Sequence, residues 1–180
     1  IDTIDTRQFT TIYLDATDMG YPVYAKLGFE METTYAHLKS EEKVTGLKLS
    51  GSVIQFKEEY KEELLQLDRM ISCEDRRETL IENLSTAKVY LNNNRVEGFF
   101  LPSLGNGPII AANDIAGFEL IKYRLENNYY AILPSDNISA IRFIEENDFI
   151  QFRTSRRMYI GKKRAWQANR IYNRISGQLG

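Results

Sequence analysis

One layout occurs twice in this chain of 180 residues. From Leu14 to Phe29 the sequence reads LDATDMGYPVYAKLGF: the end of a strand-like run, a polar turn, a short helical stretch and a phenylalanine. A second strand-like run then ends in Tyr35. From Leu133 to Phe149, LPSDNISAIRFIEENDF has the same layout, followed by a strand-like run to Met158 and Tyr159. The two phenylalanines lie 120 residues apart. Self-similarity of this kind marks two copies of one supersecondary unit, and a fold must accommodate both. The first copy lacks everything that precedes the motif in the second.

The rest of the chain alternates strands and helices. Residues 8–14 are rich in β-branched and aromatic residues and predict a strand. Tyr21 to Leu27 predict a short helix, with Pro22 in its first turn and Gly28 to end it. Met31 to Leu38 predict a strand, and residues 39–46 a polar linker. After it come a strand with a turn in LKLSGSVIQF, a helix over 57–71 and another over Glu78 to Leu84. AKVYL and RVEGFFL flank an Asn-Asn-Asn turn and predict a hairpin. GPIIAA, YYAIL and FIQFRTSRRMYI predict strands. Ala116 to Leu125 and Ile138 to Glu146 predict helices, with a last helix from about Lys163 to Ser176. Its packing side is expected at Trp166, Ile171, Tyr172 and Ile175, with Arg170 and Arg174 outside. This order predicts an α/β (α+β) sheet domain.

Hydrophobic residues make up 43% of the chain, enough for a sizeable core. No apolar run has the length of a membrane span, and no signal peptide is visible. The single Cys73 excludes an intramolecular disulfide and fits a reducing, cytoplasmic setting. With one His and one Cys, a His/Cys zinc site is excluded, and no metal site is expected. The net charge is −2, but residues 149–180 carry eight Lys/Arg and no acid. That basic end could serve an anion or nucleic acid, or complement the acidic body. Nothing in it makes a nucleic-acid recognition motif or aromatic platform.

The stretch Leu14, Asp15, Ala16, Thr17, Gly20, Pro22, Tyr24, Lys26, Leu27, Gly28 and Phe29 resembles the C-terminal half of a GNAT N-acetyltransferase domain. GPIIA at 107–111, Asn137 and Ala140, Phe149 and Arg157-Met158-Tyr159-Ile160-Gly161 resemble a second, divergent copy. The whole is similar to bacterial tandem-GNAT proteins lacking most of the first domain: residues 1–40 as the end of a first domain, 47–180 as the second. The resemblance implies a GNAT-like mixed central sheet flanked by helices. It implies transfer of an acetyl group from acetyl-CoA to a primary amine by direct attack. Leu14, Asp15, Ala16, Thr17 and Gly20 would flank the pantetheine arm of acetyl-CoA. Tyr24 would be the catalytic acid that protonates the leaving thiolate. The alternative is a non-catalytic GNAT-like ligand-binding or dimerisation module, and the resemblance leaves a homodimer open.

The departures carry equal weight. The family's phosphate loop presents glycines at a helix N-terminus, where N–H groups cradle the anion. For the first copy that loop would precede residue 1. In the second copy AANDIAGFEL has only Gly117, and Asp114 would repel a phosphate. Ile144 stands where Tyr24 stands in the first copy. The second copy is therefore expected to hold no cofactor, with Phe118, Phe143 and Ile144 filling the space beside strand 129–133.

Other candidates read as structural. His37 lies on a strand near the linker and could alternatively act as a substrate-side base. Cys73 has no nearby His to activate it. Glu58, Glu59, Glu62 and Glu63 with Lys57 and Lys61 make a solvated helix face. Asp68-Arg69 and Asp75-Arg76 suggest an ion-pair network.

Overall fold

The computed structural model of the chain describes residues 9–42 and 44–177. Expectations that fall on residues 1–8, 43 and 178–180 lie outside the described residues. The β-branched and aromatic runs form strands. In the first copy, β1 (Thr11–Ala16) leads to helix α1 (Tyr21–Lys26) and then β2 (Glu30–Lys39). Pro22 sits in the first turn of α1, and Gly28 at φ +88° reverses the chain after it. β3 (Val53–Gln55), α2 (Lys61–Ser72) and α3 (Arg77–Ile81) follow. β4 (Lys88–Asn92) and β5 (Arg95–Phe100) form the expected hairpin. Asn93 and Asn94 have φ of 50° and 60°, as a type I′ turn demands and asparagine tolerates. β6 (Ile109–Ala111), α4 (Asp114–Leu125), β7 (Tyr130–Pro134), α5 (Ile138–Glu145) and β8 (Ile150–Gly161) complete the second copy.

The strands lie in two sheets, ordered β1-β8-β2-β7 and β3-β4-β5-β6-β9, where β9 is Ile171–Asn173. β1 and β2 do not pair with each other. β8 of the second copy runs between them, and β2 in turn runs between β8 and β7. The two copies thus exchange strands. Their register is symmetric: Tyr35 faces Ser155, 120 residues on, which is the spacing of the sequence echo. On either side, Thr34 faces Arg156 while Ala36 faces Thr154, and Thr33 faces Arg157 while His37 faces Arg153. Each pair maps onto its mate under the same offset, so a local pseudo-twofold axis passes between Tyr35 and Ser155. Phe29 and Phe149, equivalent in the echo, are both buried.

Three apolar clusters hold this frame. The largest lies under α4 and α5 and contains Leu133, Ile144, Phe149 and Tyr172. A second packs α2 and α3 on the other sheet through Leu64, Ile71, Phe99 and Ile110. The smallest joins Ala16, Phe29 and Met158, with Leu14 and Tyr24 against them. The buried Arg157 is held by Glu32 at 2.7 Å and Tyr35 Oη at 3.2 Å, with its guanidinium 4.2 Å from the Tyr13 ring centre. Asp68 binds Arg76 as a buried pair. Among the described residues no helix is long and apolar enough to cross a membrane.

The helix expected over 163–176 is absent. A short 3₁₀ turn at Ala168–Arg170 leads into β9. The apolar spacing suited a helix with one buried face, but Ile171 through Ile175 are all buried. Tyr172 packs into the cluster under α4 and α5 while Ile171 and Ile175 pack into the one with α2, so both faces of this strand are buried, and β-branched and aromatic residues suit that position. Arg174, expected outside, is 7% exposed and paired with Asp15.

Candidate active site

The first copy presents Tyr24 from α1. Its ring meets Phe29 edge-on, with centroids 5.8 Å apart at 71°. Tyr24 O accepts from Phe29 N at 3.1 Å, so the helix end and the ring contact fix one another. Gly20 lies beneath the ring: a Cβ there would stand 3.3 Å from Tyr24 Cε2. Thr17 Oγ1 accepts from Gly20 N at 3.2 Å, and Thr17 O from Tyr21 N at 2.9 Å, which sets the turn between β1 and α1. Among the described residues nothing bonds the Tyr24 hydroxyl.

The other sequence candidates divide. Ala16 is fully buried, and Leu14 packs on Met158. Asp15 turns its carboxylate to Arg174, which lies 4.7 Å from the Tyr35 ring centre, so this side chain serves the frame. On its far side from β8, β1 has no strand partner among the described residues.

The second copy is built differently at the equivalent place. β9 pairs with β6, Ile109 facing Asn173 and Ile110 facing Ile171. It also reaches β7: Arg174 N donates to Ile132 O at 2.9 Å. The Asn173 side chain accepts from Ile132 N at 2.8 Å and donates to Asn106 O and Gly107 O, each at 2.8 Å. The gap between β6 and β7 is thus closed by main chain and one amide. Asn137 adds a hydrogen bond to Ile171 O at 3.1 Å.

The start of α4 is occupied too. Asn113 caps it by accepting from Ala116 N at 3.0 Å. The Tyr172 hydroxyl donates to Asp114 Oδ1 at 2.6 Å, and Arg170 approaches the same oxygen at 3.6 Å. Burial and this carboxylate raise the Tyr172 pKa further above the ordinary tyrosine range. Asp114 supplies the negative charge that a helix N-terminus favours. Phe118 stacks on Phe143 at 4.5 Å and meets the edge of Tyr172 at 6.3 Å. The side chains expected to fill this space therefore line it, and the gap itself is filled by a strand. The residues missed from the sequence are Tyr172 and Asn173. The pairing of a lone Gly117 with Asp114 was the available signal.

His37 is buried and shares a 2.8 Å hydrogen bond between Nε2 and Ser155 Oγ. Burial, then the charges of Arg174 and Arg153, lower its pKa to about 4. Cys73 is exposed and contacts Ala165 O. Among the described residues no cluster of metal-ligating side chains occurs.

This arrangement of strand, turn, tyrosine-bearing helix and strand, beside two antiparallel sheets packed with helices, defines an acetyltransferase-like fold. A model of the acetyltransferase (GNAT) domain matches residues 64–173, and the chain belongs to this family. The fold is similar to that of the "Putative Acetyltransferase" of Pyrococcus horikoshii, with a TM-score of 0.80 and 23% identity over 97% of this chain. This chain spans 61% of that protein's length. An acetyltransferase of the GNAT family from Colwellia psychrerythraea is similar at a TM-score of 0.57 and 10% identity, over 84% of this chain and 65% of its own. No curated protein matches.

Proposed function

We propose that this chain is part of a tandem GNAT protein that transfers acetyl from acetyl-CoA to a primary amine, with the working site in the first copy. Residues 1–40 end the first domain and residues 47–180 form the second. The observation that carries this reading is the contrast between the copies. The flank of β7 is closed by β9, with Tyr172 over Gly117 and the buried Ile144 at the place that Tyr24 holds in the first copy, whereas Tyr24 stands on α1 with no partner for its hydroxyl among the described residues. Backbone of Leu14, Asp15, Ala16 and Thr17 bonds the pantetheine arm, and Gly20, having no Cβ, leaves room beside the Tyr24 ring. The amine nitrogen attacks the acetyl carbonyl carbon and a C–N bond forms. The C–S bond breaks, the thiolate takes the Tyr24 hydroxyl proton, and the amine releases its own proton to solvent. General acid help of this kind contributes typically 10²–10⁴-fold.

Calorimetry with acetyl-CoA tests the division of labour. The intact protein should bind one equivalent, and residues 1–180 alone none tighter than about 10 μM, or roughly 6.8 kcal/mol. Two equivalents on the intact protein, or tight binding by this chain, would sink the proposal. The alternative, a non-catalytic binding or dimerisation module, is favoured by one feature, the occupied cleft of the second copy. An intact protein that binds acetyl-CoA but releases no thiol with any primary amine would select it.

A further inference from the structure

A cavity of about 380 Å³ opens where β6 and β7 begin, among Phe100, Asn106, Gly107, Arg124, Tyr130 and Phe152. It shares no residue with the Tyr24 site. Arg124, on the last turn of α4, is only 4% exposed. Its Nη2 donates to Asn106 O at 2.9 Å, while Nε and Nη1 have no partner. Leaving buried guanidinium donors unmet is costly, and natural structures pair almost all such groups. No carboxylate lines the cavity. Burial alone lowers the Arg124 pKa, to about 10, so the group is a cation at neutral pH. Nearby Arg174 is already matched with Asp15, whereas Arg153 adds to the positive field acting on His37.

The walls are aromatic. Tyr130 and Phe152 are both exposed at the mouth, edge to face with centroids 6.0 Å apart. His37 meets Phe152 edge to face at 6.3 Å, and the Lys39 ammonium lies 5.8 Å from the Phe152 ring centre. A buried fork of N–H donors fits a planar carboxylate, and aromatic faces suit a ring. We propose that this cavity binds a small carboxylate with a ring-sized apolar body, its carboxylate on Arg124 and its ring against Phe152 and Tyr130. A cavity of this size lies within the range of small-molecule sites.

Benzoate and its neutral isostere benzamide test the assignment by calorimetry and thermal shift. Benzoate should bind the chain with a Kd of about 1 mM or tighter, and benzamide roughly tenfold more weakly. Arg124→Met removes an unmatched buried charge and should fold well. It should lose benzoate binding by about tenfold or more. Phe152→Ala, at an exposed position, should weaken benzoate several-fold while leaving the folded protein intact. The proposal is overturned if benzoate does not bind, if it binds R124M as well as the parent, or if inorganic phosphate binds and benzoate does not.

Discussion

The ring of Tyr172 lies where a side chain on Gly117 would have to go. A Cβ at Gly117 would stand 2.2 Å from Tyr172 Cε1 and 2.3 Å from Cζ. The glycine that looks like a remnant of a phosphate loop is here the seat of an aromatic ring carried in by β9. The first prediction follows from this contact. Gly117→Ala should destabilise the chain by about 2–3 kcal/mol through overpacking, read as a lower urea midpoint. In a Tyr172→Ala background the same change should cost less than about 1 kcal/mol, because the clash is gone. Equal costs in both backgrounds would mean that the helix, not the ring, requires glycine.

Tyr24→Phe in the intact protein should lower kcat by roughly 10²-fold or more with little change in the acetyl-CoA KM. The ring contact with Phe29 survives this change, so folding should not confuse the result. Steady-state rates over a range of pH are the readout. An unchanged kcat throughout would remove Tyr24 from the mechanism.

His37 should make the fold acid-sensitive. Its folded pKa is about 4, below the ordinary 6.5, because burial and the charges of Arg174 and Arg153 disfavour the imidazolium. The unfolded chain therefore binds more protons between those values. Stability is fully present above 6.5 and declines as pH falls from there towards 4. Denaturant unfolding near the upper end of that window isolates His37 from most carboxylates. His37→Gln should flatten the slope there, and a slope that persists would point to another group.

Glu32→Gln should cost about 3–5 kcal/mol, since it strips the partner from the buried Arg157. Glu62→Gln, which breaks the exposed pair with Arg77, should cost under about 1 kcal/mol. Chemical denaturation of both variants gives the comparison. Similar losses would show that the Tyr13 and Trp166 rings, not Glu32, hold the guanidinium.

Local chemistry was legible in the sequence where it is fixed locally. The Asn93-Asn94 turn, Pro22 and Gly28 around α1, and the alternation of strands and helices each follow from the dihedral needs of a few adjacent residues. The strand exchange between the copies was legible only as a spacing of 120 residues, because register depends on partners far along the chain. β9 was misread as helix for the same reason. Its state is decided by unpaired groups on β6 and β7, which the segment 163–176 does not reveal. At the site, the tyrosine on α1 could be named from its motif, but the engagement of Asp15 by Arg174 joins residues at opposite ends of the chain. Arg124 gave no signal at all: a basic residue late in a helix normally answers the helix dipole at the surface.

The exchange of strands also sets an order of events during synthesis. β1 and β2 emerge early, yet their partners in β8 lie about 110–130 residues later for β2 and about 140–150 later for β1. At about 5–20 residues per second, the early strands wait on the order of 6–30 s for those partners. During that wait the edges of β1 and β2 that β8 will pair remain without that strand, a state open to capture by chaperones or by nascent neighbours. Closure of the sheet is therefore a late, long-range step, and the nascent chain reaches its final pairing only once Gly161 has left the exit tunnel.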